Sequence, residues 1–191
     1  MKTYLIAAAA ALLVFGAPVQ AQNHTDSAVI AEQQAAMAKL GMLHGEWRGP
    51  ATATTPNGIL KLTHTERVGP LLDGTALAVE GRGYDEAGQL VFHAFGIVSY
   101  DTATDGYTLT SWSGGRQGSF PLTVTGAGLE WSIPLPNGAA VVHSVTVADG
   151  RWSEVSNYVG AGMPPAQVAR FDVVRIGDTG WPAAGFVTPG P

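Results

Sequence analysis

The sequence predicts an all-β protein, a closed antiparallel barrel of about ten strands preceded by one N-terminal helix. Three observations predict it. From His44 onward, short β-prone runs alternate with breaks rich in Gly, Pro, Asn and Asp. The breaks recur at roughly the 8–12-residue spacing of consecutive hairpins. Several runs are apolar on one face only, so they need a shared interior, and closing the sheet removes its exposed edges.

The first residues do not belong to that barrel. Lys2 precedes an apolar run from Leu5 to Phe15, and Val19-Gln20-Ala21 places small residues at the positions a signal peptidase reads. The run is short for a membrane anchor. Residues 1–21 therefore read as a signal peptide cleaved after Ala21. No Cys stands near that point to carry a lipid, and no later segment is apolar and long enough to cross a membrane as a helix. The expected location is periplasmic or extracellular, with no stable membrane anchor after cleavage. Asn23-His24-Thr25 matches a glycosylation sequon at a terminus and reads as chance.

Residues 22–43 read as a linker and helix. Ile30, Met37, Leu40 and Leu43 form one apolar stripe between Ser27 and Leu43, and Asp26 or Ser27 is placed to cap its start. A single stripe needs a surface, so the helix is expected to lie on the barrel as a lid or plug.

Residues 44–176 read as the barrel. Thr55-Pro56-Asn57-Gly58 is a tight turn, because Asn-Gly accepts the positive φ of hairpin turns. Further breaks fall at Leu72-Asp73-Gly74, 85–88, 102–106, Gly114-Gly115, 126–128, Pro136-Asn137-Gly138 and Ala148-Asp149-Gly150. Between them, Leu60, Leu62, His64, Glu66 and Val68 share a face. So do Leu129, Trp131 and Ile133; Val141, His143, Val145 and Val147; and Phe171, Val173 and Arg175. Alternation leaves Tyr107 and Trp112 open to either face. Residues 160–165 read as a loop. Residues 177–191 read as an extended tail, with Trp181 and Phe186 available to pack outside the wall.

Charge and composition narrow the function. The chain has 191 residues, a formal net charge of −5 and no Cys. An acidic chain without a basic cluster argues against nucleic-acid binding. An exported chain without disulfides depends on its core alone, which suits a bacterial periplasm or exterior. Searches for a nucleophile elbow, a dinucleotide loop, a phosphate loop and a zinc-protease helix all fail.

The polar residues on apolar faces are the site candidates: His64 and Glu66, His143 among its valines, and His93 with Val91, Phe95 and Ile97. A polar group in an apolar lumen costs about 1–3 kcal/mol unless something bonds it. Glu80 and Arg82 read as a pair on the outer wall.

Gly45-Glu46-Trp47, at the start of the first strand and just after the helix, resembles the calycin superfamily of lipocalins and fatty-acid-binding proteins. The segments 43–49, 66–74, 79–83 and 98–101 extend the likeness to uncharacterised bacterial lipocalin-like domains. The resemblance implies a lipocalin-like barrel in which Trp47 closes one end and Arg175 packs over it. Haem-binding barrels of related shape use a His late in the chain. No His follows His143, so haem is not carried over, and no cofactor or metal is expected.

Three functional readings follow. The leading one is a barrel that binds a small hydrophobic or amphipathic molecule, with His64, Glu66, His93 and His143 at the ligand. The others are a filled barrel acting as a structural or interaction module, and a hydrolase or isomerase with its base in the lumen.

Overall fold

A computed structural model describes residues 26–126 and 128–183. The expected signal peptide, the Asn23-His24-Thr25 triplet and Phe186 lie outside the described residues.

Helix α1 runs from Ser27 to Ala38, and a single 3-10 turn at Gly41–Leu43 follows it. It is shorter than the apolar stripe predicts, because the chain tightens into a turn after Lys39. Asp26 is the cap, its carboxylate accepting from the backbone N–H groups of Ala28 and Val29 at 3.0 and 3.3 Å.

Ten strands follow: β1 (Gly45–Thr55), β2 (Gly58–Leu71), β3 (Ala76–Tyr84), β4 (Leu90–Asp101), β5 (Gly106–Ser113), β6 (Arg116–Thr125), β7 (Gly128–Pro134), β8 (Ala140–Ala148), β9 (Arg151–Val159) and β10 (Ala166–Gly177). Each pairs antiparallel with its sequence neighbour, and β1 pairs with β10 to close the barrel. The turn chemistry read from the sequence sits between the strands as expected. Asp73, Asp105, Asn137 and Asp149 take positive φ, the conformation short polar residues tolerate best.

The closed end is built from the first residues of odd strands and the last residues of even ones. Trp47, Val68, Leu77 and Val173 are fully buried there, with Leu40 of the helix segment. Met37 and Leu43 join the same cluster. Trp47 donates its indole N–H to the Leu43 carbonyl at 2.9 Å, and Tyr107 donates its hydroxyl to the Ala36 carbonyl at 2.8 Å. The helix is therefore a plug tied to the barrel floor by both apolar area and directed bonds.

At the other end the turns at 56–57, 85–89, 114–115 and 135–139 ring a mouth. Here inward-facing side chains are only partly covered. Phe92 is 41% exposed, and Leu62, Phe120, Trp131 and Val141 are half-buried. Side chains at this end therefore keep contact with water, while the floor is dry.

The register places Arg175 opposite Trp47. Its guanidinium does not stack on that indole. It donates to the His44 carbonyl at 3.1 Å and pairs with Asp178, while the Trp47 ring meets the edge of Trp152 at 5.7 Å. The floor is closed by two indoles, with the arginine tying down the chain just before β1.

Candidate functional site

Between floor and mouth lies a belt of polar side chains on the inner wall. On β2, alternation turns His64 and Glu66 inward, and both are buried. His64 Nε2 and Glu66 Oε1 share a hydrogen bond of 2.7 Å. The imidazole lies on Phe171 of β10 with centroids 4.3 Å apart and planes 18° from parallel. Gly81 makes room for the carboxyl, since a Cβ there would sit 2.7 Å from Glu66 Oε1.

Across the lumen, His143 of β8 stacks on Trp131 of β7 at 4.6 Å with planes 2° apart. Its Nδ1 faces two partners from β9, Ser156 Oγ at 2.9 Å and Glu154 Oε1 at 3.2 Å. Glu154 and Ser156 were not among the sequence candidates. Their signal was there, because they alternate with Trp152 and Tyr158 on one face of β9. A carboxylate beside Nδ1 places the proton on that nitrogen, so in the neutral ring Nε2 carries the lone pair. Serine and carboxylate meet the same nitrogen, so this histidine cannot relay a proton from one to the other as a serine triad requires.

Three polar atoms of this region are buried without a hydrogen-bond partner: Glu66 Oε2, His143 Nε2 and Trp152 Nε1. Native interiors satisfy most such atoms, so three on the inner face of one barrel, two in the belt and Trp152 Nε1 at the floor, call for a cause. Among the described residues, no group of three His, Asp or Glu side chains is arranged to hold a metal ion.

Burial pushes the Glu66 carboxyl above its ordinary value; the His64 bond and charge oppose this, and the charges of Glu154 and Glu80 add to it. The folded chain thus keeps the Glu66 proton at pH values where the unfolded chain has released it. Above the unfolded value near 4.5, this term makes stability fall as pH rises toward the raised folded value. Glu66→Gln does not titrate. Its stability relative to the parent is expected to be level in acid and to grow as pH rises through that window. Urea midpoints of both proteins from about pH 4 to about pH 8 check this; parallel curves would show that burial does not shift the group.

His93 does not belong to this belt. It pairs with Arg82, while Ala94 pairs with Gly81, so the row His93, Phe95, Ile97 faces outward. His93 is instead one of three groups around Glu80 on the outer wall, at 3.2 Å, with Arg82 at 2.8 Å and Arg67 at 2.5 Å. Partial burial pushes the Glu80 carboxyl up, but hydrogen bonds from Arg82, Arg67 and His93 outweigh it and hold it below its ordinary value. The expected Glu80–Arg82 pair is thus part of a larger network. The tail covers it in part, with the Trp181 ring 4.4 Å from the Arg67 guanidinium carbon and edge-on to Phe95. A groove of about 310 Å³ runs beside it, lined by Arg48, Thr65, Arg67 and Arg82. Trp112 lies near Phe95 on the same outer wall, whereas Tyr107 points inward to the plug.

The architecture has a counterpart among solved structures. The chain is similar to the crystal structure of Rv2717c from M. tuberculosis, with a TM-score of 0.56 at 15% identity over 74% of this chain and 97% of that one. At this identity the likeness is one of fold alone. No protein-family model and no curated protein matches the chain.

Proposed function

We propose that this protein is an exported, lipocalin-like barrel of calycin type that binds a small amphipathic molecule in its lumen. The observation that carries the reading is the belt of buried, unpartnered polar atoms set between a dry floor and a water-accessible mouth. Binding sites of this class combine apolar and aromatic area with a few placed polar groups. Here Phe92, Phe120, Trp131 and Phe171 supply area. Glu66, His64 and His143 orient the polar end. His93, on the outer wall, has no part in it.

The filled-barrel reading fits less well. A structural network satisfies its own polar atoms, because half-satisfied buried groups cost stability. The experiment is native mass spectrometry of the protein recovered from the envelope or medium of its own cells. The expected result is a chain beginning at Gln22 that carries a small molecule at near one-to-one ratio, released on denaturation. A chain that keeps residues 1–21 would overturn cleavage, and a protein found only in the cytoplasm would overturn export. A bare mass, unchanged by added amphiphiles, would overturn binding.

A further inference from the structure

The chemistry of the unpartnered atoms goes further than the existence of a ligand. This step rests on the luminal reading above. In its ionised form, which a cation bound beside it favours, Glu66 accepts hydrogen bonds at Oε2, and so does His143 at Nε2 once the Glu154 carboxylate holds the proton on Nδ1. Both are therefore short of a donor, whereas the third unpartnered atom, the Trp152 indole N–H beside Trp47 at the floor, is short of an acceptor. Among the described residues the acids that face the lumen are Glu66 and Glu154, both buried. Among the described residues, the arginines of inward parity lie elsewhere: Arg175 beneath the floor, bound to His44 and Asp178, and Arg116 exposed at the rim. A carboxylate ligand would meet two acids and no fixed cation. A ligand with a positive, hydrogen-bond-donating head would meet acceptors, acids and aromatic faces together. Ring faces attract such a cation by about 0.5–2 kcal/mol, more as water is excluded.

We propose that the lumen selects organic ammonium compounds, a protonated primary amine donating to Glu66 Oε2 and His143 Nε2 while its apolar chain lies toward Phe92, Phe120 and the mouth. This reverses the polarity of a fatty-acid carrier, in which a cation would have to wait for the carboxylate.

The test uses chains that differ only in the head: octylamine, octanol and sodium octanoate, titrated calorimetrically into the intact mature protein at neutral pH. Octylamine is expected to bind at least about tenfold more tightly than either of the others. E66Q is expected to weaken octylamine binding about tenfold and leave octanol unchanged. Octanoate or octanol binding as tightly as the amine would overturn the selection and leave the luminal pocket standing. No saturable binding of any of the three would overturn the pocket reading and this inference with it. Undiminished amine binding by E66Q would also overturn the inference. Should E66Q not unfold cooperatively, H143F makes the same test, because it keeps a ring against Trp131 and removes Nε2.

Discussion

Trp47→Ala is expected to lower the free energy of unfolding by about 3–5 kcal/mol. The indole is 1% exposed and stands at the centre of the floor. Truncation removes its edge contact with Trp152 and empties a volume that the surrounding strands, locked in their ladders, cannot collapse into. It also removes the N–H that satisfies the Leu43 carbonyl, leaving an acceptor in an apolar site at a further cost of about 1–3 kcal/mol where water cannot reach it. Because that carbonyl belongs to the turn behind α1, loosening of the plug should accompany the loss. Urea unfolding measures the first effect, and hydrogen exchange of the helix amides measures the second. Trp47→Phe keeps much of the area and separates packing from the hydrogen bond. A loss below about 1 kcal/mol for the alanine variant would mean that the floor is not where the stability resides.

Gly49→Ala is expected to cost about 1–3 kcal/mol, through overpacking. The backbone at Gly49 is ordinary extended strand, so the cost is steric. A Cβ at this position would press on the Asp172 carbonyl and lie 2.8 Å from Val173 Cα. Both are backbone atoms of β10, and neither can swing aside as a side chain end would. The clash falls at the seam where the first and last strands meet, so relief requires the closing register itself to move. Gly58→Ala is the useful contrast. Gly58 has φ of +109° with open space around it, so its cost is backbone strain alone, about 1–3 kcal/mol, with no steric part. Thermal or urea unfolding of both variants checks this; a loss below about 0.5 kcal/mol at Gly49, with Gly58→Ala destabilised as expected, would show that the β1–β10 seam is not tightly packed.

The faces of β2, β7, β8 and β10 were legible because each carries one apolar and one polar row, and a one-residue slip would expose the apolar row. That reading placed His64, Glu66 and His143 on the inner wall, where the structure has them. The same reasoning failed on β4. There Val91, Phe95 and Ile97 form one apolar row, and Phe92, Val98 and Tyr100 form the other, so alternation does not choose between them. Pairing with β3 chooses, and it sends His93 outward. An outward apolar row is tolerated because Trp181 of the tail packs against Phe95. Gly69 leaves room on that wall, where the Trp181 carbonyl takes the space a Cβ would fill.

Arg175 teaches a related lesson. Its position beside Trp47 follows from the sequence order of first and last strands, but its partners do not. The guanidinium takes the His44 carbonyl and Asp178, since directed bonds to a carbonyl and a carboxylate outweigh a stacking contact of about 0.5–2 kcal/mol. Glu154 and Ser156 were similarly present in an alternating run, yet nothing local says that they meet His143 rather than each other's neighbours.

By itself the sequence determined the strand count, the turns, the capped helix and the inner face of four strands. These follow from positive-φ residues, capping side chains and period-two alternation, all of which act within a few residues. Only the tertiary structure decided which wall His93 joins, what Arg175 bonds, and that two histidine–glutamate pairs share one belt above the Trp47 floor. Those outcomes depend on the register of ten ladders closed on one another, and a closed register is a property of the whole chain.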